Sequence, residues 1–127
     1  RLLASASSVD DIATAFYAEA DWQPARAAWQ TWFERYSALV NAQHPTPGSK
    51  AERAARMNAV NPKYVLRNYL AQQAIDAAHD GDYAPIGELL DVMRKPYDEQ
   101  PGRERFAEKR PDWARTKAGC SMLSCSS

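Results

Sequence analysis

Pro24-Ala25-Arg26-Ala27-Ala28-Trp29-Gln30-Thr31-Trp32-Phe33-Glu34-Arg35-Tyr36-Ser37-Ala38-Leu39-Val40-Asn41 sets the fold class. Ala25, Ala28, Trp29, Trp32, Phe33, Tyr36, Leu39 and Val40 recur at three- and four-residue intervals, which winds them into one wide apolar stripe on a helix. Pro24 suits the first helical position, where a missing N–H costs nothing. The pattern stops near Asn41, before the loop residues His44-Pro45-Thr46-Pro47-Gly48. Trp22, Trp29, Trp32, Phe33 and Tyr36 have the chemistry of a stacking platform, but their helical spacing assigns them to a core.

Further helices are expected on both sides. Ser8 with Asp11 makes a capping box ahead of Val9, Ile12, Ala13, Phe16 and Ala20. Ser49 with Glu52 makes a second, opening a helix from Lys50 to about Met57. Asn61-Pro62 reads as an N-cap and first helical residue. The helix it opens has Leu66, Tyr69, Leu70, Ala74 and Ala77 on its buried face, Gln73 beside Tyr69, and Arg67 and Asn68 off that face. Gly81 suits the position just past the end of that helix. Pro85 starts another, with Ile86, Leu89, Leu90 and Met93 on one side, and Pro96 stops it. Beyond it, Pro96, Pro101 and Pro111 break the chain, a short helix is expected around Arg103 to Lys109, and the last ten residues read as a tail. No alternating strand pattern occurs. The expectation is an all-α fold: a compact bundle of about five helices over residues 1–95 and an irregular, Pro-rich tail over 96–127.

Composition narrows the function classes. A chain of 127 residues fits one domain. Its 16 basic and 16 acidic residues give zero net charge and no electrostatic case for nucleic acid or membrane as partner. No apolar run approaches the roughly 20 residues of a membrane span. The opening Arg1-Leu2-Leu3-Ala4-Ser5 has neither an initiator Met nor a signal-peptide core, which suggests a piece of a longer chain. Two cysteines, Cys120 and Cys125, do not make a secreted disulfide framework. That favours the cytoplasm, and high Ala and Arg usage hints at a bacterial source.

No catalytic, cofactor-binding or metal-binding residue stands out. The five glycines are isolated, so neither a Walker loop nor a dinucleotide fingerprint is present. Asp-Phe-Gly and His-Arg-Asp are both absent, which leaves kinase-type chemistry no housing here. His44 and His79 lack a second ligand at helical spacing, and His79 near a helix end is explained by the helix dipole. Arg67, Asn68 and Gln73 read as hydrogen-bonding residues between segments, since no base or nucleophile accompanies them. Cys125, third from the end of a Ser-rich tail, is the sharper candidate for thiol exchange, with Cys120 as a possible local partner. Two unpaired surface thiols are the alternative, and spacing alone does not choose.

The stretch Asn61-Pro62-Lys63-Tyr64-Val65-Leu66-Arg67-Asn68-Tyr69-Leu70-Ala71-Gln72-Gln73-Ala74-Ile75 resembles the C-terminal signature of the selenoprotein O family. Pro96-Tyr97-Asp98-Glu99-Gln100-Pro101, Pro111-Asp112-Trp113 and the closing Cys125-Ser126-Ser127 follow in that family's order. The resemblance covers the chain from about Met57 onward. It implies a kinase-like parent enzyme that uses ATP and magnesium to transfer AMP to Ser, Thr or Tyr hydroxyls of target proteins. The nucleotide and metal sites would lie upstream, in the kinase-like domain that is the implied partner of these helices. It also implies that Cys125 occupies the family's selenocysteine-or-cysteine position, implicated in redox control through a disulfide with that domain. Met122 stands where some members carry a second cysteine, so a Cys-x-x-Cys couple does not carry over. The competing reading is a free-standing helical interaction module whose Trp-rich stripe fits a partner groove. An upstream lysine, acidic helix and Asp-Phe-Gly-like motif would separate the two.

Overall fold

The computed structural model describes residues 1–120. Its elements are all helical over that range, as the sequence pattern requires. Two compact units divide the chain, Arg1–Asn61 and Pro62–Ser127.

In the first unit α1 (Leu2–Ser5) leads into a 3-10 helix (Val9–Ala15), then α2 (Glu19–Gln43) and α3 (Pro47–Val60). Asp11 caps as expected: its Oδ2 accepts from the amides of Ser7 at 2.7 Å and Ser8 at 2.9 Å. Those two amides hold the Asp11 carboxyl below its ordinary range. The helix there is a 3-10 turn rather than the α-helix expected, and it buries Val9 and Ile12. They pack with Trp22 and Phe33 of α2, flanked by the half-buried Phe16, Trp29 and Tyr36. The stripe of α2 is therefore narrower than the sequence suggested, since Trp32 and Leu39 are exposed. The helix also starts earlier, so Pro24 lies inside it. Its missing N–H removes one ladder bond, and Ala20, whose carbonyl would have accepted it, is exposed to water.

Thr46 rather than Ser49 caps α3. Thr46 Oγ1 accepts from the Ser49 amide at 3.2 Å, and Ser49 Oγ accepts from the Thr46 amide at 3.2 Å. Pro47 then takes the first helical position. Tyr36 joins three elements: its hydroxyl donates to the Leu3 carbonyl at 3.1 Å, accepts from Arg53, and its ring lies 5.3 Å beneath the Arg53 guanidinium.

In the second unit α4 (Asn68–His79) packs against α5 (Ala84–Met93), and 3-10 turns follow at Glu104–Ala107 and Asp112–Arg115. The expected helix start at Asn61-Pro62 is displaced by six residues. The amides of Lys63 and Tyr64 both donate to the Pro96 carbonyl, at 2.7 and 3.1 Å, which holds this stretch against the far end of α5 instead of in a helix. Leu66 falls outside α4 as a result and is exposed, as is Gln73. The buried face is Tyr69, Leu70 and Ala74. Gly81 ends α4 as expected: its φ is +88°, the Asp82 amide reaches the Ala77 carbonyl at 2.9 Å and the Gly81 amide reaches Ala78 at 3.1 Å. This is a Schellman closure, which needs the left-handed conformation that glycine adopts without strain.

Tyr64 is the most enclosed large side chain, 1% exposed, and its hydroxyl donates to the Gln100 carbonyl at 3.3 Å. Gln100 Nε2 in turn donates to the carbonyls of Val92 at 3.1 Å and Lys95 at 2.8 Å, which closes the end of α5. Lys63 pairs with Glu99. Two of the stretches that carried the family resemblance, 61–75 and 96–101, thus meet in one place. Glu88 of α5 pairs with Arg103 and Arg105, and Asp76 of α4 pairs with Lys117. Arg105 and then Arg103 hold the Glu88 carboxyl below its ordinary range, and Lys117 followed by Gln72 does the same for Asp76.

Two outcomes are expected. Tyr64→Ala should destabilise the second unit by about 3–5 kcal/mol, the cost of emptying a packed aromatic site. Leu66→Ala, at a side chain 57% exposed, should cost under about 0.5 kcal/mol. Urea denaturation of the two variants measures the contrast. The second outcome is acid sensitivity. Glu88 and Asp76 have depressed folded values, so their contribution is complete above their unfolded values, 4.5 and 3.8, and is lost as pH falls through the lower folded ones. Melting temperature should therefore drop between about pH 5 and pH 3. Glu88→Gln should melt lower at neutral pH and show a shallower acid slope.

Candidate functional site: the Cys120 turn

The segment after α5 carries only isolated apolar residues, yet it folds onto α4. Phe106, Ala114 and Cys120 join Tyr64, Tyr69, Leu70, Ala74, Leu89 and Val92 in one buried cluster. Tyr69 fixes the segment twice: its hydroxyl donates to the Glu108 carbonyl at 3.1 Å, and its ring meets Trp113 edge-on at 6.3 Å. Lys117 sits 5.6 Å over the Trp113 ring while it pairs with Asp76. Gln72 Nε2 donates to the other Asp76 oxygen at 2.8 Å.

That arrangement delivers a tight turn at Ala118-Gly119-Cys120. Gly119 has φ +81°, a left-handed backbone that calls for glycine, and the atom nearest to a Cβ there would be the end of the flexible Gln72 side chain. The Cys120 amide donates to the Lys117 carbonyl at 3.2 Å, and its thiol is free and buried. The surface-thiol alternative is thus corrected for Cys120. Its side chain is packed, and exchange at it requires this turn to open. Cys125 lies outside the described residues.

The other residues singled out in the sequence do not converge. His44 follows α2 with its amide on the Val40 carbonyl at 2.8 Å. His79 is the last residue of α4, where a cation is favoured. Arg67 precedes α4, Asn68 begins it, and Gln73 lines a surface cavity of about 190 Å³ with Pro85, Glu88 and Arg105. Among the described residues no group of three or more His, Cys, Asp or Glu side chains could hold a metal ion. A larger cavity of about 520 Å³ lies in the first unit, lined by α1, Tyr36, Lys50 and Arg53. No helix among the described residues is long and apolar enough to cross a membrane.

Comparison with known proteins places these units. Residues 3–94 match the family described as protein adenylyltransferase SelO. The chain is 59% identical over 122 residues to a protein nucleotidyltransferase YdiU of Aromatoleum aromaticum, an alignment covering 96% of this chain and 23% of that relative. It is 57% identical over 123 residues to the protein of the same name in Tolumonas auensis, covering 97% of this chain and 23% of the relative. Against the one in Rhodopirellula baltica identity is 61% over 100 residues, with 79% and 18% covered. The chain thus spans under a quarter of the length of these relatives. With its family match running across both units, the chain belongs to the SelO family of protein adenylyltransferases.

Proposed function

We propose that this chain is the helical C-terminal region of a kinase-like enzyme that transfers AMP from ATP to Ser, Thr or Tyr hydroxyls of proteins in the bacterial cytoplasm. The observation that carries this reading is the match over residues 3–94 to an adenylyltransferase family, joined to relatives more than four times longer that are named nucleotidyltransferases. ATP and magnesium belong to the upstream kinase-like domain. Residues 1–95 supply helices that brace it, and 96–127 lead to Cys125, the redox-regulatory thiol. Protein substrates engage the upstream domain.

The proposed control is chemically simple. Cys125 and a cysteine of the upstream domain lose two protons and two electrons to an oxidant such as glutathione disulfide, and one S–S bond forms. Cys120, buried five positions before Cys125, is the second candidate thiol.

The test is AMP transfer by the full-length enzyme, followed with α-labelled ATP, with and without reductant. Wild type should respond to reductant and Cys125→Ser should not. An unchanged response in Cys125→Ser removes the tail from the control. Cys120→Ser should retain the response if Cys125 pairs with the upstream domain. Its loss there would instead indicate a local Cys120–Cys125 pair. The 127-residue chain alone should transfer no AMP.

A further inference from the structure

Helix α5 has more apolar surface than its own unit covers. At 3.6 residues per turn, Val92, Leu89, Met93, Ile86, Leu90 and Tyr83 span about half of its circumference, with Glu88 and Asp91 on the other side. Leu89 and Val92 are buried in the unit's core. Ile86 is 45% exposed, Leu90 50% and Tyr83 68%. A helix that packs on one neighbour needs a narrower stripe, and one apolar on two sides is covered on both. Gly87 is a second, independent sign. It lies mid-helix beside the exposed stripe, where glycine is less favourable than alanine. A Cβ at Gly87 would meet nothing within 4 Å, and no positive φ demands glycine there. Nothing in this unit calls for the missing side chain, but the close approach of another backbone would.

We infer that Tyr83, Ile86 and Leu90, with Gly87 beside them, form the docking face of this region on the upstream part of the same polypeptide, whose backbone crosses α5 at Gly87. This rests on the reading that the chain belongs to a longer enzyme, as relatives of which it covers only 23% support. The size of the face favours that occupant over a second copy. Ten helical residues are about 15 Å long, too short to bury the roughly 800 Å² per partner of a stable separate interface. A covalently joined partner has a high effective concentration and needs far less.

The experiment uses the full-length enzyme with p-benzoylphenylalanine replacing Leu90. Irradiation should give a crosslink within one polypeptide, mapped by mass spectrometry to a residue upstream of this chain. A product of twice the monomer mass, a crosslink to residues 1–61 or 121–127, or no crosslink would each overturn the inference. Gly87→Leu should lower the melting temperature of the full-length enzyme by several degrees, and an unchanged value would overturn the close approach. AMP transfer by the same variant keeps this separate from bracing. An upstream crosslink with normal transfer supports the docking face while bracing fails. Absence of the crosslink removes the docking face whatever the activity.

Discussion

The Pro96 carbonyl, shared by the amides of Lys63 and Tyr64, is the contact on which the second unit depends. Two donors on one acceptor tie a stretch of chain to a point more than thirty residues away. They cannot also serve a helix ladder. Tyr64 is thereby driven into the core, α4 is delayed to Asn68, and Leu66 is left outside. Pro96 suits this role because it stops α5 and, being past the helix, leaves its carbonyl available. Gln100 then folds back to satisfy the carbonyls of Val92 and Lys95, so the end of α5 is closed by the same motif that anchors the start of α4.

Electrostatics work locally in a chain with no net charge. Beside two local i,i+3 pairs, Asp91–Arg94 and Asp112–Arg115, several ion pairs join segments that the apolar contacts only loosely specify. The Asp10 carboxylate accepts from Nε and Nη2 of Arg26, at 2.9 and 3.0 Å, and ties the 3-10 helix to α2. Glu88 gathers Arg103 and Arg105, and Asp76 holds Lys117. These pairs are partly exposed and add little stability one by one. Their value is register: without them the segment from 103 to 120, with single apolar residues far apart, has few features to choose its seat.

The all-α class was legible because helical periodicity is local. So were the Asp11 cap and the Gly81 closure, which involve residues within a few positions of each other. The α3 cap was misread between two hydroxyls three apart, although Pro47 directly after Thr46 was a signal that Thr46 comes first. The Asn61-Pro62 restart failed for a different reason, since the competing partner, Pro96, is invisible to local pattern. Gln73 was placed beside Tyr69 on an apolar face that in fact turns past it toward Leu70 and Ala74. The Cys120 turn was illegible altogether. Its burial depends on Tyr69, Gln72 and Asp76 receiving a segment whose own sequence has no period.

The burial of Cys120 also constrains the proposed redox chemistry. Cys125 is five positions further on, and a fully extended chain of that length spans at most about 18 Å. Whatever conformation those residues take, the Cys125 backbone stays within that radius of a point fixed against α4. A short tether of this kind holds a thiol near its partner at an effective concentration on the order of millimolar, provided the geometry permits the two to meet. If Cys125 forms the proposed disulfide, its partner would have to come within reach of the face of the second unit where Gly119 turns beside Gln72. Opening that turn would release the tether, lengthen its reach and dilute the thiol, so the packing of Tyr69 on Trp113 and the Asp76–Lys117 pair would govern how readily Cys125 is oxidised.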